Sequence, residues 1–264
     1  MNLSQAAPVA AHGALGSLQT GFKDAIVVVV GGRGGIGRAV VAQCLELGAR
    51  VIVVSSTCGE SHLDLSPWET LQPTTIRANV CDASARKMLA QEIETKVGRI
   101  DILVNSAGAS TQIPLKALDR LSDELIQDAF SANAMSVIAS IRELTPLLKK
   151  GIDPVIVNIG SVAAWTGQGS NLAYVGAKAA VQAMSIGLAK ALAPEIRVVG
   201  IAPSALETGF TKQRSQEFLD ATIRATPLAR LTTVTEVASA VLCAARLLTA
   251  TTGVTIAVDG GRHL

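Results

Sequence analysis

A tyrosine, a lysine and a serine in the second half of the chain have the types and spacing of a proton-transfer site. Tyr174 is the only tyrosine among 264 residues, and Lys178 follows it by four positions in a helix-forming stretch. Residues four apart share one helix face, and a nearby ammonium stabilises a phenolate and so lowers its pKa. Ser161 precedes Tyr174 by thirteen residues. Its hydroxyl can hydrogen-bond a substrate carbonyl, although a serine there is on its own more typical of a helix cap or a turn.

A glycine-rich segment, VGGRGGIG at 30–37, follows the first apolar run of the chain. Glycine allows a tight turn and lets backbone N–H groups at a helix N-terminus approach a pyrophosphate. Two registers fit the segment. Gly32, Gly34 and Gly37 spell GxGxxG, whereas Gly31, Gly35 and Gly37 spell GxxxGxG. The position of the loop between a strand and a helix predicts dinucleotide binding.

The residues after the second apolar run bear on which dinucleotide binds. A site for NAD places Asp or Glu there, to hold the ribose 2′-hydroxyl. The chain has Ser55, Ser56 and Thr57 instead, and its first acid is Glu60. No residue of this stretch would repel a 2′-phosphate, and Arg33 in the glycine loop is placed to attract one. The sequence favours NADP(H), with NAD(H) as the alternative if Arg33 is merely a solvated loop cation.

Composition argues against several other classes. Hydrophobic residues make up 49% of the chain and charged residues 17%, which excludes a disordered protein. The net charge of +2 offers no basic field for nucleic acid. Four unpaired cysteines and three scattered histidines predict no metal site and the reduced thiols of a cytoplasmic protein. We expect no signal peptide in 1–21 and no membrane partner, because the apolar run at 25–30 is too short to span a bilayer.

Strand-like and helix-like segments alternate along the chain. The β-branched runs are at 25–30, 51–54, 75–80, 101–104, 154–159, 196–202 and 254–258. Segments with helical spacing are at 35–48, 84–97, 122–150, 171–193 and 235–247. This alternation predicts an α/β fold, a doubly wound parallel sheet of about seven strands in one domain, 22–264. Residues 1–21 are predicted to be a flexible extension. The ligand site should lie beyond the carboxyl ends of the strands.

Taken together, these motifs resemble the short-chain dehydrogenase/reductase family, in its compact single-domain branch with a Rossmann-like fold. The resemblance extends from about Phe22 to the C-terminus and selects the glycine register of Gly31, Gly35 and Gly37. Further family motifs occur in the family's order. They are NSAG at Asn105–Gly108, FSANAMS around Asn133, PSALET at Pro203–Thr208 and VDGG at Val258–Gly261.

The resemblance implies a role for each candidate residue. Tyr174 would exchange a proton with the substrate oxygen, and Ser161 would orient and polarise that oxygen. Lys178 would lower the Tyr174 pKa and bind the nicotinamide ribose, and Asn133 would hold a water of a proton relay. Hydride would pass directly between nicotinamide and substrate carbon, so no metal is expected. The implied cofactor contacts are Gly31, Arg33, Gly35, Ile36, Gly37, Ser55, Ser56, Asn79, Val80, Asn105, Ala107, Gly108, Tyr174, Lys178, Pro203, Leu206 and Thr208.

Several positions depart from the family pattern. Val30 replaces the usual threonine and so loses a side-chain hydrogen bond that braces the turn at Asn105. Asn79 stands where an aspartate usually faces the adenine amino group, and its amide oxygen can still accept that bond. NADP-preferring members often carry their basic residue at the position of Gly34, whereas Arg33 lies one residue earlier. Ser106 and Ser204 replace an asparagine and a glycine of the motifs.

The resemblance implies an oxidoreductase that acts on a small ketone or secondary alcohol with NADP(H). An NAD-dependent alcohol dehydrogenase on the same fold is the alternative. A catalytically silent dinucleotide sensor is less favoured, because the tyrosine, lysine, serine and asparagine are all retained. The family also implies a homo-oligomer, a tetramer or a dimer, in which the helix near 171–193 packs against a second copy.

The substrate is the least determined part of the prediction. The candidate substrate positions are Ser110, Ala163, Trp165 and Gln168, with a mobile segment over about 206–225. They suggest a mostly apolar pocket without a clamp for a carboxylate. Thioesters of 3-oxoacyl carrier proteins, steroids, sugars and aromatic ketones all fit such a pocket.

Overall fold

The computed structural model describes residues 14–57, 72–206 and 216–264. The strands found in these ranges are β1 (Ile26–Val30), β2 (Arg50–Ser55), β3 (Thr74–Arg77), β4 (Ile102–Asn105), β5 (Val155–Ile159), β6 (Arg197–Pro203) and β7 (Thr255–Val258). The α-helices found there are α1 (Ala14–Phe22), α2 (Gly35–Glu46), α3 (Ala83–Val97), α4 (Asp123–Phe130), α5 (Ser136–Leu148), α6 (Ala163–Thr166), α7 (Leu172–Leu192), α8 (Gln216–Arg224) and α9 (Val234–Arg246).

The seven described strands form one parallel sheet in the order β3-β2-β1-β4-β5-β6-β7. Val27 of β1 is in register with Val51 of β2 on one side and with Ile102 of β4 on the other. The strand order reverses between β1 and β4, which opens a crevice at the carboxyl ends of the strands. The predicted doubly wound α/β fold in a single domain is confirmed.

Two aliphatic clusters cover the two faces of the sheet. Val27 and Val29 of β1 belong to the cluster that includes residues of α2 and α9. Ile26, Val28 and Val30 belong to the opposite cluster, which includes residues of α3, α5 and α7. All five residues of β1 are buried. This burial explains why the strand lacks polar alternation, since helices cover both of its faces.

The helix predicted over 122–150 consists of three pieces. α4 ends at Phe130, a π-helical turn spans Ser131–Met135, and α5 begins at Ser136. A π turn adds one residue to a helical turn and often marks a functional position. Here it carries Asn133, which is fully buried. The apolar spacing did not show this interruption, because one inserted residue hardly disturbs the helical pattern.

Two further helices lie where the sequence predicts none. α6 spans Ala163–Thr166, and α8 spans Gln216–Arg224 inside the segment predicted to be mobile. Thr222 of α8 is buried and donates to the Phe218 carbonyl at 2.8 Å. The described end of that segment is therefore a helix with a buried side. Residues 207–215 lie outside the described residues.

The end of the predicted N-terminal extension is helical. α1 contacts α9, and Nε of Arg246 donates to the Gly21 carbonyl at 2.9 Å. Phe22, the last residue of α1, is 1% exposed within the core cluster. Residues 14–21 are therefore a helix and not a flexible lead, because the apolar anchor at Phe22 attaches them to the domain. Residues 1–13 lie outside the described part of the chain.

Helix α7 is the one described helix long and apolar enough to cross a membrane, with 21 residues and a mean hydropathy of 1.3. It contacts β6, α4 and α6. Its buried residues include Ala177, Lys178 and Val181. A core helix of a globular domain has the same length and composition, so these properties of α7 are only weak evidence for a membrane span.

Candidate active site

A cleft of about 570 Å³ lies at the carboxyl ends of the central strands. Its described walls come from the loop after β1, the turns after β4, β5 and β6, helices α7 and α8, and the C-terminal turn. Glycine, alanine and other apolar residues predominate in them. The lining residues used below are Gly34, Gly35, Ile36, Gly108, Asn133, Ser161, Val162, Ala163, Gln168, Ser170, Tyr174, Lys178, Pro203, Leu206, Phe218, Thr222 and Arg262.

The glycine loop after β1 has the geometry of a phosphate cradle. Gly31 has φ of +80°, and a Cβ there would lie 2.5 Å from the backbone N of Ala107. A Cβ on Gly37 would lie 2.2 Å from the Gly31 carbonyl oxygen. The packing therefore requires glycine at Gly31, the position that distinguishes its register, and at Gly37, which both registers share.

The helix that follows this loop begins without a side-chain cap. Gly34 is the N-cap residue, in extended conformation, and Gly34, Gly35 and Ile36 all line the cleft. The first N–H groups of α2 and its positive dipole end therefore face the cleft. These features fit a dinucleotide pyrophosphate.

The loop after β2 approaches the glycine loop through Arg33. Nη1 of Arg33 donates to the Thr57 carbonyl at 3.0 Å, and the Ser55 hydroxyl lies 3.3 Å from that of Thr57. Ser56 is exposed. Arg77, at the end of β3, pairs in register with Ser55 and is exposed. The sequence analysis missed Arg77, because only the strand pairing places it next to β2.

The turn after β3 and the end of β4 carry three of the expected cofactor contacts, Asn79, Val80 and Asn105, none of which belongs to the described lining of the cleft. Oδ1 of Asn79 accepts from the Cys81 N–H at 3.1 Å, and Val80 is buried. Nδ2 of Asn105 donates to Oδ1 of Asn158 at 2.9 Å, and Asn158 in turn donates to the Ser185 hydroxyl of α7 at 2.9 Å. This buried chain joins the end of β4 to the helix that carries Tyr174 and Lys178.

Asn133 faces the glycine that ends the NSAG motif. Its Nδ2 donates to the carbonyls of Ala109 at 2.7 Å and Ala129 at 2.9 Å. Its Oδ1 is buried without a hydrogen-bond partner among the described residues. A Cβ on Gly108 would lie 2.6 Å from that oxygen and 3.6 Å from Nζ of Lys178. Both polar groups therefore converge on Gly108.

The tyrosine and lysine of the sequence motif lie together in the first turns of α7. Asn171 caps the helix by accepting from the Tyr174 N–H at 2.8 Å. Nζ of Lys178 donates to the Ile159 carbonyl at 2.9 Å and lies 5.7 Å from the centre of the Tyr174 ring. The Ser161 hydroxyl accepts from the Ala163 N–H at 3.1 Å and also hydrogen-bonds the Tyr174 side chain. Ser161 therefore has the cap-like hydrogen bond considered from the sequence and also contacts the phenol, while its bond to a substrate carbonyl stays a prediction.

Burial controls the proton affinities of this pair. Desolvation raises the pKa of the Tyr174 phenol above its usual value, and the Ser161 hydrogen bond opposes this rise. Desolvation also lowers the pKa of Lys178 to about 8. The net shift of the Tyr174 pKa is therefore upward, opposite in direction to the shift that the family resemblance implies. The cost of burying a phenolate is the larger effect.

The turn after β6 supplies two of the expected cofactor contacts. Pro203 ends β6 and lines the cleft, and Leu206 lines it while pairing with Thr232 in an isolated bridge. Thr208 lies outside the described residues.

Of the four candidate substrate residues, Ala163 and Gln168 line the cleft. Ser110 forms a hydrogen bond with Ser170, which is itself a lining residue. Trp165 does not belong to the described lining and is 39% exposed. Its ring lies 5.4 Å from that of His263.

Several lining residues were not singled out from the sequence. They include three that matter below, two of which lie in the segment over about 206–225 that was named with the candidate substrate positions. Phe218 and Thr222 come from α8, and Arg262 comes from the C-terminal turn after β7. No motif marks Arg262, because its approach to the cleft depends on how the chain end packs. Among the described residues, no group of three His, Cys, Asp or Glu side chains is arranged to hold a metal ion.

Comparison with known proteins agrees with this fold. The family model described as enoyl-(acyl carrier protein) reductase matches residues 30–263. The chain is 30% identical over 246 residues to the 3-oxoacyl-[acyl-carrier-protein] reductase FabG of Staphylococcus aureus. That alignment covers 90% of this chain and 97% of the relative.

Two solved structures show the same architecture. A short-chain dehydrogenase/reductase of the glucose/ribitol dehydrogenase type from Brucella melitensis superposes with a TM-score of 0.83 at 29% identity, over 92% of this chain and 98% of that one. The RhlG/NADP active-site complex from Pseudomonas aeruginosa gives 0.82 at 30% identity, over 92% and 98%. The chain belongs to the short-chain dehydrogenase/reductase family and is an oxidoreductase of CH–OH or carbonyl groups.

Proposed function

We propose that this protein transfers hydride between NADP(H) and a ketone or secondary alcohol, with Tyr174 as general acid and base. The observation that supports this most directly is the hydrogen bond between Ser161 and Tyr174 at the cleft, with the Lys178 ammonium 5.7 Å from the phenol ring. Two hydroxyls on one substrate oxygen provide both polarisation and a proton.

Each residue of this group has a separate task in the proposed reaction. In reduction, Ser161 donates a hydrogen bond to the substrate oxygen and Tyr174 gives it a proton. Because burial raises the Tyr174 pKa, the phenol is protonated and ready to donate at neutral pH. In oxidation, the same oxygen of Tyr174 takes the proton from the alcohol, and the Lys178 charge stabilises the phenolate that forms.

The cofactor would lie along the carboxyl ends of β1, β4 and β5. The uncapped N-terminus of α2 would hold the pyrophosphate, and Lys178 would hold the nicotinamide ribose. The bound nicotinamide supplies or accepts the hydride. The unpartnered Oδ1 of Asn133, close to Gly108 and Lys178, would accept from a water that returns a proton to the lysine.

We propose NADP(H) rather than NAD(H) because two arginines flank the end of β2. Arg33 reaches the Thr57 carbonyl, and Arg77 pairs in register with Ser55. No described residue between Ser55 and Thr57 is acidic. A 2′-phosphate would be favoured by these charges, and the Pseudomonas aeruginosa structure similar to this chain is a complex with NADP. The corresponding dehydrogenase that uses NAD(H) is the alternative.

A substrate screen with both cofactors tests the proposal. Purified protein is incubated with ketones, oxo sugars and 3-oxoacyl thioesters, and nicotinamide absorbance is followed with NADPH and with NADH. We expect reduction of at least one class, faster with NADPH. The thioesters are included because the Staphylococcus aureus relative is a 3-oxoacyl-[acyl-carrier-protein] reductase. Cofactor binding without turnover across the screen would favour the sensor instead.

We also propose a homo-oligomer, formed in part by α7. Leu172 and Ile186 of this helix are 42% and 44% exposed. Light scattering on the purified protein gives the mass, and a monomer at micromolar concentration would contradict the proposal. The cytoplasmic location expected from the sequence stays a prediction.

A further inference from the structure

The cleft carries positive charge without a described acid to balance it. Among the described residues that line it, the charged side chains are Lys178 and Arg262. Lys178 already has partners: it lies beside the Tyr174 phenol, donates to the Ile159 carbonyl and is proposed to bind the ribose. Arg262 has no role in the reaction as described so far. It is half-buried, and no described residue accepts a hydrogen bond from its guanidinium.

The turn that carries Arg262 is firmly anchored. The carboxylate of Asp259 is 4% exposed and accepts from the N–H groups of Gly261 at 3.0 Å and His263 at 2.8 Å. Nδ1 of His263 lies 2.7 Å from the same carboxylate, and the His263 ring contacts Trp165. The position of Arg262 between these anchored residues is therefore set by the fold.

The cleft that Arg262 lines is mostly apolar. Phe218 and Thr222 of α8, Val162 and Ala163 all line the same cleft. A guanidinium beside apolar walls is partly dehydrated, which costs free energy. Pairing with an anion offsets that cost. The cleft therefore has a place for an oxyanion beside Arg262.

The phosphates of the cofactor do not explain this cation. In the proposed binding mode, the N-terminus of α2 binds the pyrophosphate and Arg33 pairs with the 2′-phosphate. Both of these groups follow β1. Arg262 follows β7, which is four strands from β1 in the sheet order. Strands about 4.8 Å apart place these two ends roughly 19 Å from each other. Ser161, at the end of β5, is only two strands from β7.

We propose that Arg262 binds an oxyanion, a carboxylate or a phosphate, that the ketone or alcohol substrate itself carries. This inference rests on the proposed function and replaces the expectation of a pocket without an anion clamp. The reacting carbon would lie at Ser161 and Tyr174 while the anionic end of the substrate pairs with Arg262. Neutral analogues of the same shape would be poorer substrates.

Matched substrate pairs test the proposal. Straight-chain oxo acids of increasing length are each compared with their methyl esters, which removes the charge and keeps the ketone. A second arm compares a 3-oxoacyl thioester of phosphopantetheine with that of pantetheine, which lacks the phosphate. Each pair is measured with the wild type, Arg262→Met, Arg262→Lys and the control Arg50→Met. Arg50 is exposed at the opposite, amino end of β2.

The readout is the ratio of kcat/KM for the charged over the neutral member of each pair. We expect the wild type to favour one charged class by about tenfold to a hundredfold. Arg262→Met should reduce that ratio towards one, and Arg262→Lys should keep part of it. The arm that responds identifies the carboxylate or the phosphate as the anion. No charge preference in either arm, or the same loss in Arg50→Met, would overturn the proposal.

Calorimetry separates this proposal from the proposed function. Binding of the oxo acids and the thioesters is measured in the presence of NADP⁺, which needs no turnover. Tighter binding of the charged member, lost in Arg262→Met, supports the anion site even if no substrate is reduced. If Arg262→Met instead weakens NADP⁺ and NAD⁺ alike and leaves the substrate ratio unchanged, the arginine binds cofactor and the proposal is wrong.

Discussion

The Nζ of Lys178 lies 5.7 Å from the centre of the Tyr174 ring, one helical turn away on the same face of α7. This ammonium is held by the Ile159 carbonyl at the end of β5 and is 5% exposed. The pair therefore combines a cation that is costly to bury with a phenol that burial keeps protonated. Desolvation raises the pKa of Tyr174 and lowers the pKa of Lys178. These opposite shifts are the electrostatic basis of the proposed acid–base chemistry.

Tyr174→Phe should reduce turnover by at least about a hundredfold, because the proton donor is lost while the ring is kept. The thermal midpoint of unfolding and the NADPH affinity should stay close to those of the wild type, since the phenylalanine leaves Lys178 in place. Steady-state kinetics on the best substrate of the screen, with scanning calorimetry, checks both points. Activity near the wild-type level would exclude Tyr174 as the acid.

Lys178→Met should change the pH dependence of stability. Burial lowers the Lys178 pKa from 10.5 to about 8, so above pH 8 the unfolded chain binds more protons at this site than the folded protein. The cost of burying the charge is full below pH 8 and is relieved between pH 8 and 10.5. From pH 7 to 10.5 the wild type should gain up to about 3 kcal/mol of unfolding free energy relative to the variant.

Urea unfolding of both proteins at several pH values measures this difference. Lys87→Met is the matched control, because Lys87 is an exposed lysine on α3. Its difference from the wild type should stay constant over the same range. A constant difference for Lys178→Met as well would show that burial does not depress the Lys178 pKa.

Arg33→Ala should weaken NADPH binding by about tenfold or more and leave NADH binding nearly unchanged, because only NADPH carries the 2′-phosphate. Arg77→Ala should act in the same direction with a smaller effect, as Arg77 approaches from the neighbouring strand. Dissociation constants for both cofactors, measured by fluorescence titration, test this. Arg50→Ala, at the other end of β2, serves as the charge control. Equal losses of NADPH and NADH would refute the 2′-phosphate role.

Val30→Thr should stabilise the protein by about 1 kcal/mol. Oδ1 of Asn105 is buried without a hydrogen-bond partner among the described residues, and Val30 is in register with Asn105. A threonine hydroxyl on this face of β1 can donate to that oxygen with little change of volume. The difference in unfolding free energy from urea titration is the measurement.

Val29→Thr provides the comparison for this change. Val29 is fully buried and belongs to the apolar cluster on the opposite face of the sheet. A hydroxyl placed there should cost about 1–2 kcal/mol. If Val30→Thr destabilises the protein as much as Val29→Thr does, Asn105 does not offer the acceptor proposed here.

The parts of the site that local sequence determines were predicted well. The seven strands lie within one or two residues of the predicted runs, except that β3 ends at Arg77 rather than near residue 80. Tyr174 and Lys178 share a helix face because a four-residue spacing gives this result in any helix. The resemblance selected the glycine register from the sequence, but its physical reason appears only in the packing, where Gly31 approaches Ala107 in the turn after β4.

Other features could not be read from local patterns. The π turn that presents Asn133 alters one residue of an otherwise regular helix. The N-terminal helix is attached through Phe22 and Arg246, which are 224 positions apart. The sequence predicts Trp165 as a candidate substrate residue, but its ring lies 5.4 Å from that of His263, near the far end of the chain. Each of these depends on contacts between segments distant in sequence.

The amino-acid sequence by itself determined the alternation of strands and helices, the glycine loop after β1 and the common helix face of Tyr174 and Lys178. These follow from hydrophobic periodicity, glycine conformation and helical spacing, all of which act over a few residues. Only the tertiary structure decided that Arg77 adjoins Ser55, that burial raises the Tyr174 pKa and that Arg262 enters the cleft. Strand order and desolvation arise when the whole chain packs, so no short segment contains them.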